Sequence, residues 1–281
     1  MTLKNTNKPS VSIIINCLNG EKYLKEAINS VYNQSYKNWE IIFWDNGSID
    51  KSKKIAKSFN KKLRYFYSKN TTSLGHARVS AVKKAKGKYL CFLDCDDVWF
   101  KDKLKIQVSV LKNDKKLSLV YSNAEIINEF GNKIGLMPSK KDAKSGYIFK
   151  DLVKKNFIPF VSVLMKKATY FEVGGFPKNY INSTDYHLFL NLSLKNKIMF
   201  LPKTTCQYRE HSQNLSKYNI IKSVEEEIIT LKKLLPNKYV QNALSLKYTN
   251  LSIAYLKKFN LLKSIYYFIL FSKKKYFFVR L

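Results

Sequence analysis

The densest cluster of chemistry-bearing side chains lies in residues 89–99, YLCFLDCDDVW, where Asp94, Asp96 and Asp97 follow directly on an apolar run. Side chains alternate on an extended chain, so Asp94 and Asp96 are expected to point the same way and converge on one ligand. Two carboxylates sharing a cleft repel each other strongly unless something compensates. A hard divalent cation that also binds substrate phosphates would do so. A bare Asp-x-Asp is more often a solvated acidic loop, and what favours a site here is its position at the end of a buried strand. Other polar residues fall at comparable places. Asn16 closes one apolar run, Asp45 and Asn46 follow another, Asp185 opens a helical segment, and His211 sits in YREHSQNLS.

Such residues meet only if the elements before them line up. Residues 11–16 (VSIIIN) and 39–44 (WEIIFW) suit strands buried on both faces, and 63–67 and 89–93 read as two more. Residues 21–33 carry Leu24, Ala27, Ile28 and Val31 at helical spacing, and 50–59 and 75–85 read as helices. Strand and helix in alternation mean an α/β chain of βαβ units with a parallel sheet, which binds ligands at the carboxyl ends of its strands. Beyond residue 100 the spacing predicts a helix over 102–111, a strand over 119–127, a polar loop over 137–146, a turn at 174–177 and a capped helix over 184–194. From Ser216 onward helical periodicity dominates, and residues 217–281 hold 13 basic and 3 acidic residues. The expected division is therefore one α/β domain over 1–216 and a basic helical extension over 217–281.

The 281 residues carry 51 Lys and Arg against 20 Asp and Glu, a formal charge of +31. Only four of the cations are arginines (Arg64, Arg78, Arg209, Arg280), whereas readers of nucleic-acid bases lean on arginine. Non-specific nucleic-acid binding is accordingly a poor reading, and attraction to anionic surfaces, membranes included, is the better one. Cys17, Cys91, Cys95 and Cys206 show no CxxC pairing or zinc spacing, which suits reduced thiols in a cytoplasmic chain. The N-terminus lacks the apolar run of a signal peptide, and no stretch is apolar for long enough to span a bilayer. In residues 259–281, Leu261, Leu262, Ile265, Tyr266, Phe268, Ile269 and Phe271 stand beside Lys263, Lys273, Lys274 and Lys275. That segment reads either as an interfacial helix on anionic lipid or as a helix packed on the rest of the chain.

VSIIINCLNGEKYLKEAINSVYNQSYKNWEIIFWDNGSIDKS, GHARVSAVKKAKGKYLCFLDCDD, VGGF at 173–176, STDYHLFL at 183–190 and YREHSQNLS at 208–216 occur in this order. Over residues 9–216 the chain thereby resembles the inverting family-2 glycosyltransferases. The resemblance implies their nucleotide-sugar-binding GT-A fold, a Rossmann-like, mostly parallel sheet flanked by helices. It places Asn16 and Leu18 along the nucleobase and ribose, and Asp45 and Asn46 in the loop that reads the base. Asn46 stands where a second Asp is usual, yet its carbonyl can still accept from a pyrimidine imide N–H, so a UDP- or dTDP-linked sugar is favoured. Glu21 is either a ligand contact or simply a favourable anion at a helix N-terminus. Arg78 is implied to face the diphosphate, with Arg209 as a second candidate. Asp96 is implied to bind Mg2+ or Mn2+ with His211 approaching the same ion, while Asp94 serves ribose or metal, Cys95 lies between them in the donor-binding loop and Asp97 supports the loop. Asp185 matches the base that deprotonates the acceptor hydroxyl. Thr184 and His187 stand where acids are usual, which bears on acceptor preference. The implied reaction is metal-dependent transfer of a sugar to an envelope glycan or lipid-linked saccharide at the inner face of the cell membrane. The competing readings are a nucleotide-sugar-binding protein that no longer transfers, and the non-specific nucleic-acid binder.

Overall fold

The computed structural model describes residues 8–277, apart from the side chains of residues 216, 217 and 273–277. Lys273, Lys274 and Lys275, named above for the basic tail, therefore lie outside the described side chains. The chain runs β1 (Val11–Cys17), α1 (Glu21–Tyr32), β2 (Trp39–Asp45), α2 (Ser52–Lys57), β3 (Leu63–Tyr67), α3 (Leu74–Val82), β4 (Tyr89–Phe92), β5 (Val98–Trp99), α4 (Lys103–Asn113), β6 (Leu117–Ile127), β7 (Lys133–Met137), α5 (Phe149–Leu152), β8 (Leu164–Lys166), α6 (Lys167–Glu172), α7 (Thr184–Ser193), β9 (Lys197–Arg209), α8 (Leu215–Tyr218), α9 (Ile220–Lys232), α10 (Lys238–Lys257) and α11 (Leu261–Phe277).

The strands form one sheet in the order β3-β2-β1-β4-β8-β6-β9-β5, with β7 added to β6. Pairing is parallel from β3 through β4, as the βαβ alternation requires. Beyond β4 the sheet is mixed. β8 runs antiparallel to both β4 and β6, β9 lies parallel to β6, β5 pairs antiparallel with β9, and β7 pairs antiparallel with β6. β5 and β8 are only two and three residues long, too short to show a periodicity in sequence.

Alternation along β1 sorts the core into two layers. Val11, Ile13 and Ile15 face α1 and α4, joining Leu24, Ile28, Leu104 and Val108. Ile14 faces the other side with Ala81 and Val82 of α3 and Leu188 and Phe189 of α7. That second layer continues without interruption into the C-terminal helices through Ile228, Leu231, Leu244, Tyr248 and Leu251. α11 packs on α10, where Tyr267 stacks on Tyr255 with ring centroids 5.6 Å apart and Ser252 Oγ donates to the Ser264 carbonyl at 2.9 Å.

Candidate active site

β4 delivers the acidic cluster to the carboxyl edge of the parallel half-sheet. The chain then turns, because the Asp97 N–H donates to the Asp94 carbonyl at 3.2 Å. The two candidate carboxylates are thus presented by a turn and not by strand alternation, and each takes its own cation or donor. Asp94 Oδ1 accepts from Arg78 Nη2 at 3.0 Å. Asp96 Oδ2 lies 2.9 Å from His211 Nε2. Burial, and then the neighbouring Asp94 charge, hold the Asp96 carboxyl above the usual carboxylate range, with the His211 hydrogen bond opposing. Asp97 is buried and accepts from the Arg209 N–H at 2.9 Å; burial, then Asp96 and Asp94, push its carboxyl well up. Arg209, expected near phosphate, is instead structural. Its Nη2 pairs with Glu26 at 2.7 Å and its Nε donates to the Asp96 carbonyl at 2.9 Å, which fixes the turn.

The donor-side residues divide into those that face the cleft and those that shape it. Asn16 and Leu18 line the cleft, and Asn16 Nδ2 is buried there without a hydrogen-bond partner. Asp45 is fully buried, accepting from the Ser48 N–H at 2.8 Å and the Tyr65 hydroxyl at 2.7 Å, so it holds the loop. Asn46 lines the cleft, but its amide is occupied by residue 72: Nδ2 donates to the Thr72 carbonyl at 2.8 Å and Oδ1 accepts from the Thr72 hydroxyl at 2.8 Å. A base edge must therefore compete with Thr72 for that carbonyl. Glu21 does not line the cleft. Its carboxylate accepts from the Lys51 N–H at 2.9 Å, while its own N–H donates to Asp50, a reciprocal clamp between α1 and the start of α2. Cys95 packs with Cys17 around Gly20, where an added Cβ would lie 2.8 Å from both sulfurs, so glycine is needed for this close approach. All four cysteines are free.

The second half of the site comes from α3, α7 and α9. Arg78 is buried, with its guanidinium 4.0 Å above the Phe160 ring. It spans the site by donating to Asp94 with one nitrogen and to Thr184 Oγ1 at 2.5 Å with the other. Asp185 opens into the same cleft at the first turn of α7, and Asn156 Nδ2 donates to its Oδ2 at 2.8 Å. Burial raises the Asp185 carboxyl, against the pull of Arg78. His187 does not line the cleft. It contacts Thr230 of α9 at 3.1 Å, and burial pushes its imidazole down to about 4, so it stands neutral and structural.

Two residues absent from the sequence reading hold this half together. Asn156 orients Asp185. Glu226, only 1 % exposed, accepts from the backbone N–H groups of Ile181, Asn182 and Ser183 at 2.7, 3.0 and 2.8 Å. Those donors lead into α7, so a carboxylate from α9 ties down the entry to the helix that carries Asp185. Glu226→Gln turns one acceptor into a buried donor facing an N–H. It is expected to lower stability by about 2 kcal/mol, read by urea unfolding. An unchanged midpoint would show that these three bonds are not doing that work.

The cleft has a volume of ≈ 1020 Å³ and brings Asn16, Leu18, Asn46, Arg78, Asp94, Cys95, Asp96, Asp185 and His211 together, leaving out Asp45 and Glu21. That is ample for a nucleotide-sized ligand with room for a second substrate. The chemistry of Asp96 fits a divalent ion, because a cation would offset the burial, and then the Asp94 charge, that raise its carboxyl. His211 stands beside Asp96. Its Nδ1 accepts from the Gln213 N–H at 3.1 Å, which leaves the ring proton on Nε2 pointing at Asp96. In this arrangement it stands as a hydrogen-bond donor to Asp96, beside the carboxylate with which the resemblance grouped it. Among the described residues no group of three or more His, Cys, Asp and Glu is placed to hold a metal by itself. An ion shared with substrate phosphates needs only one or two protein carboxylates.

Comparison with known proteins agrees with this architecture. The glucosyltransferase WfgD of Escherichia coli, named as a UDP-Glc:alpha-D-GlcNAc-diphosphoundecaprenol beta-1,3-glucosyltransferase, is 32 % identical over 190 residues, covering 67 % of this chain and 71 % of WfgD. Staphylococcus aureus TarS 1–349 in complex with UDP-GlcNAc superposes with a TM-score of 0.64 at 16 % identity, covering 91 % of this chain and 89 % of that one. The Pyrobaculum calidifontis mannosyltransferase PcManGT, in complex with GDP-Man and Mn2+, superposes at 0.63 with 16 % identity, covering 95 % and 76 %. The chain spans 35 % of the length of matching relatives in two Rickettsia species, Rickettsia conorii and Rickettsia felis. The sequence profile described as glycosyl transferase family 2 matches residues 12–209, the stretch that builds the sheet and carries Asp94, Asp96 and Asp185. The chain belongs to glycosyl transferase family 2.

Proposed function

We propose that the chain is an inverting glycosyltransferase that moves a sugar from a UDP- or dTDP-linked donor to a hydroxyl of an envelope glycan or lipid-linked saccharide. The observation that carries this reading is the pairing, within one cleft, of a buried acidic turn (Asp94, Asp96) and a carboxylate at a helix start (Asp185), bridged by Arg78. Donor chemistry is supported by the UDP-GlcNAc complex of TarS, and the lipid-linked acceptor by the name of WfgD. The catalytic region over 1–216 and the basic helical segment over 217–281 would act together, at the inner face of an anionic membrane.

In this mechanism Asn16 and Leu18 hold the nucleobase and ribose, with Asn46 beside them. Arg78 faces the diphosphate from its seat on Phe160, and Asp94 fixes that guanidinium from the other side. Asp96, aligned by His211, would hold Mg2+ or Mn2+, which when bound neutralises charge on the departing diphosphate. Asp185, with one oxygen occupied by Asn156, keeps the other for the acceptor hydroxyl. It takes the hydroxyl proton as the acceptor oxygen attacks the anomeric carbon from the face opposite the nucleotide, and the bond from that carbon to the diphosphate oxygen breaks, releasing nucleoside diphosphate.

A panel of nucleotide sugars, each with and without Mn2+, tests the reading. The correct donor at a hundredfold excess over its Kd is expected to raise the melting temperature by roughly 5 °C. With an added acceptor, nucleoside diphosphate should then be released. Donor binding without release for every acceptor would instead favour the binding protein that no longer transfers, the reading that Thr184 in place of an acid keeps open. No shift with any nucleotide sugar would sink both.

A further inference from the structure

We propose that the turn between α10 and α11 is an insertion tip that docks the protein on an anionic lipid bilayer. α10 ends in a Schellman motif: the Phe259 N–H donates to the Leu256 carbonyl at 2.9 Å and the Asn260 N–H to the Tyr255 carbonyl at 2.9 Å. The residue between these bonds must adopt a left-handed backbone, a place that favours glycine or asparagine. Here it is Phe259, with φ of 54°, and its ring is 94 % exposed. A phenylalanine at this position is unfavourable both for the backbone and for water, so its use lies outside the chain.

Its surroundings say what that use is. Leu256, Leu261 and Leu262 are exposed around Phe259, Leu262 at 85 %, and Ile265, Tyr266 and Ile269 continue the apolar face along α11. Asn260 Oδ1 accepts from the Lys263 N–H at 3.1 Å, so the turn is held from both sides and presents these side chains on a fixed frame. Exposed Lys257, Lys258 and Lys263 ring the tip. From Ile228 to the C-terminus the sequence has eleven basic residues and no acidic one. A second copy would bring these lysines against their own kind. An anionic bilayer offers hydrocarbon to the apolar tip and negative headgroups to the ring. Among the described residues no helix is long and apolar enough to cross a membrane, so the contact is one of resting on the surface. The proposal deepens the membrane part of the proposed function and rests on it for its purpose.

The test is sedimentation of the full chain with phosphatidylglycerol-containing vesicles and with pure phosphatidylcholine vesicles, comparing the parent with Phe259→Asn/Leu262→Ser. The parent should sediment with the anionic vesicles only, and the double variant should partition at least about tenfold less. Both substituted side chains are exposed, and Asn suits the left-handed turn, so the variant's melting temperature should hold or rise by about 2 °C. A parent that ignores anionic vesicles, a variant that binds them as the parent does, or a parent dimer that the variant splits would each overturn the tip. UDP binding, measured on both proteins, reads the transferase assignment independently of the vesicle result.

Discussion

Asp185→Asn is expected to lower turnover by about two to four decades while leaving donor affinity unchanged. The substitution keeps size, and the new carboxamide oxygen can still accept from Asn156 Nδ2, so the start of α7 keeps its shape. What disappears is the basic oxygen, and a positioned general base contributes roughly that much to a proton-coupled attack. The loss of one anion at a helix N-terminus costs only about 0.3–1 kcal/mol, too little to explain such a fall through unfolding. The pH profile carries the same signature. As the proposed base Asp185 would work ionised, and burial raises its carboxyl, so kcat/KM should fall with decreasing pH through a point above the usual carboxylate range, and this limb should vanish in the variant. Near-normal turnover in Asp185→Asn would remove it from the chemistry. His187 would not inherit the role, since it faces α9.

The second large effect is expected at Asp96. Asp96→Ala should weaken Mn2+-dependent UDP binding by about a hundredfold or more, the range in which losing a ligand exceeds losing the groups that orient it. The fold should tolerate the change. Arg209 Nε holds the Asp96 backbone carbonyl and not its carboxylate, and the lost His211 hydrogen bond is offset by removing a carboxylate that is buried and set beside Asp94. The unfolding midpoint should therefore stay or rise slightly, and metal-free UDP binding should persist through Asn16, Leu18 and Arg78. Isothermal titration with and without Mn2+ separates these terms, and equal metal-dependent affinity in parent and variant would refute the assignment of Asp96.

The parallel half of the fold was legible because β1, β2 and β4 are buried almost throughout and read as largely apolar runs, each leading to a polar residue at the sheet's carboxyl edge. β5 and β8 were not legible, since their place comes from pairing with distant β9, β4 and β6. The acidic cluster is marked in the sequence by its place after a strand, and the structure presents it by a turn, not by the extended-chain alternation that the sequence suggests. A turn sends Asp94 to Arg78 and Asp96 to His211. Asp45 and Asn46 were visible as polar residues after β2, yet side-chain type alone could not say that Tyr65 and Thr72 already engage them. Asn156 lies 29 residues before its partner Asp185 and sits in no motif, so nothing local marks it. Glu226 is hidden in a run of three glutamates that looks like a solvated helix face. Only the packing of α9 shows that the middle one is buried.

That glutamate has a consequence for engineering. Enzymes of this kind invite chimeras in which a donor-binding half is kept and the C-terminal helices are exchanged to change the acceptor or the site of action. Here the helices after residue 216 are not a detachable cassette. The loop leading into α7 is tied down by a carboxylate that the incoming segment would have to supply, at the height on its first helix where Glu226 meets Ile181, Asn182 and Ser183. A graft chosen on sequence similarity to the first 216 residues alone would carry every residue of the acidic turn and still leave the helix of Asp185 without its anchor.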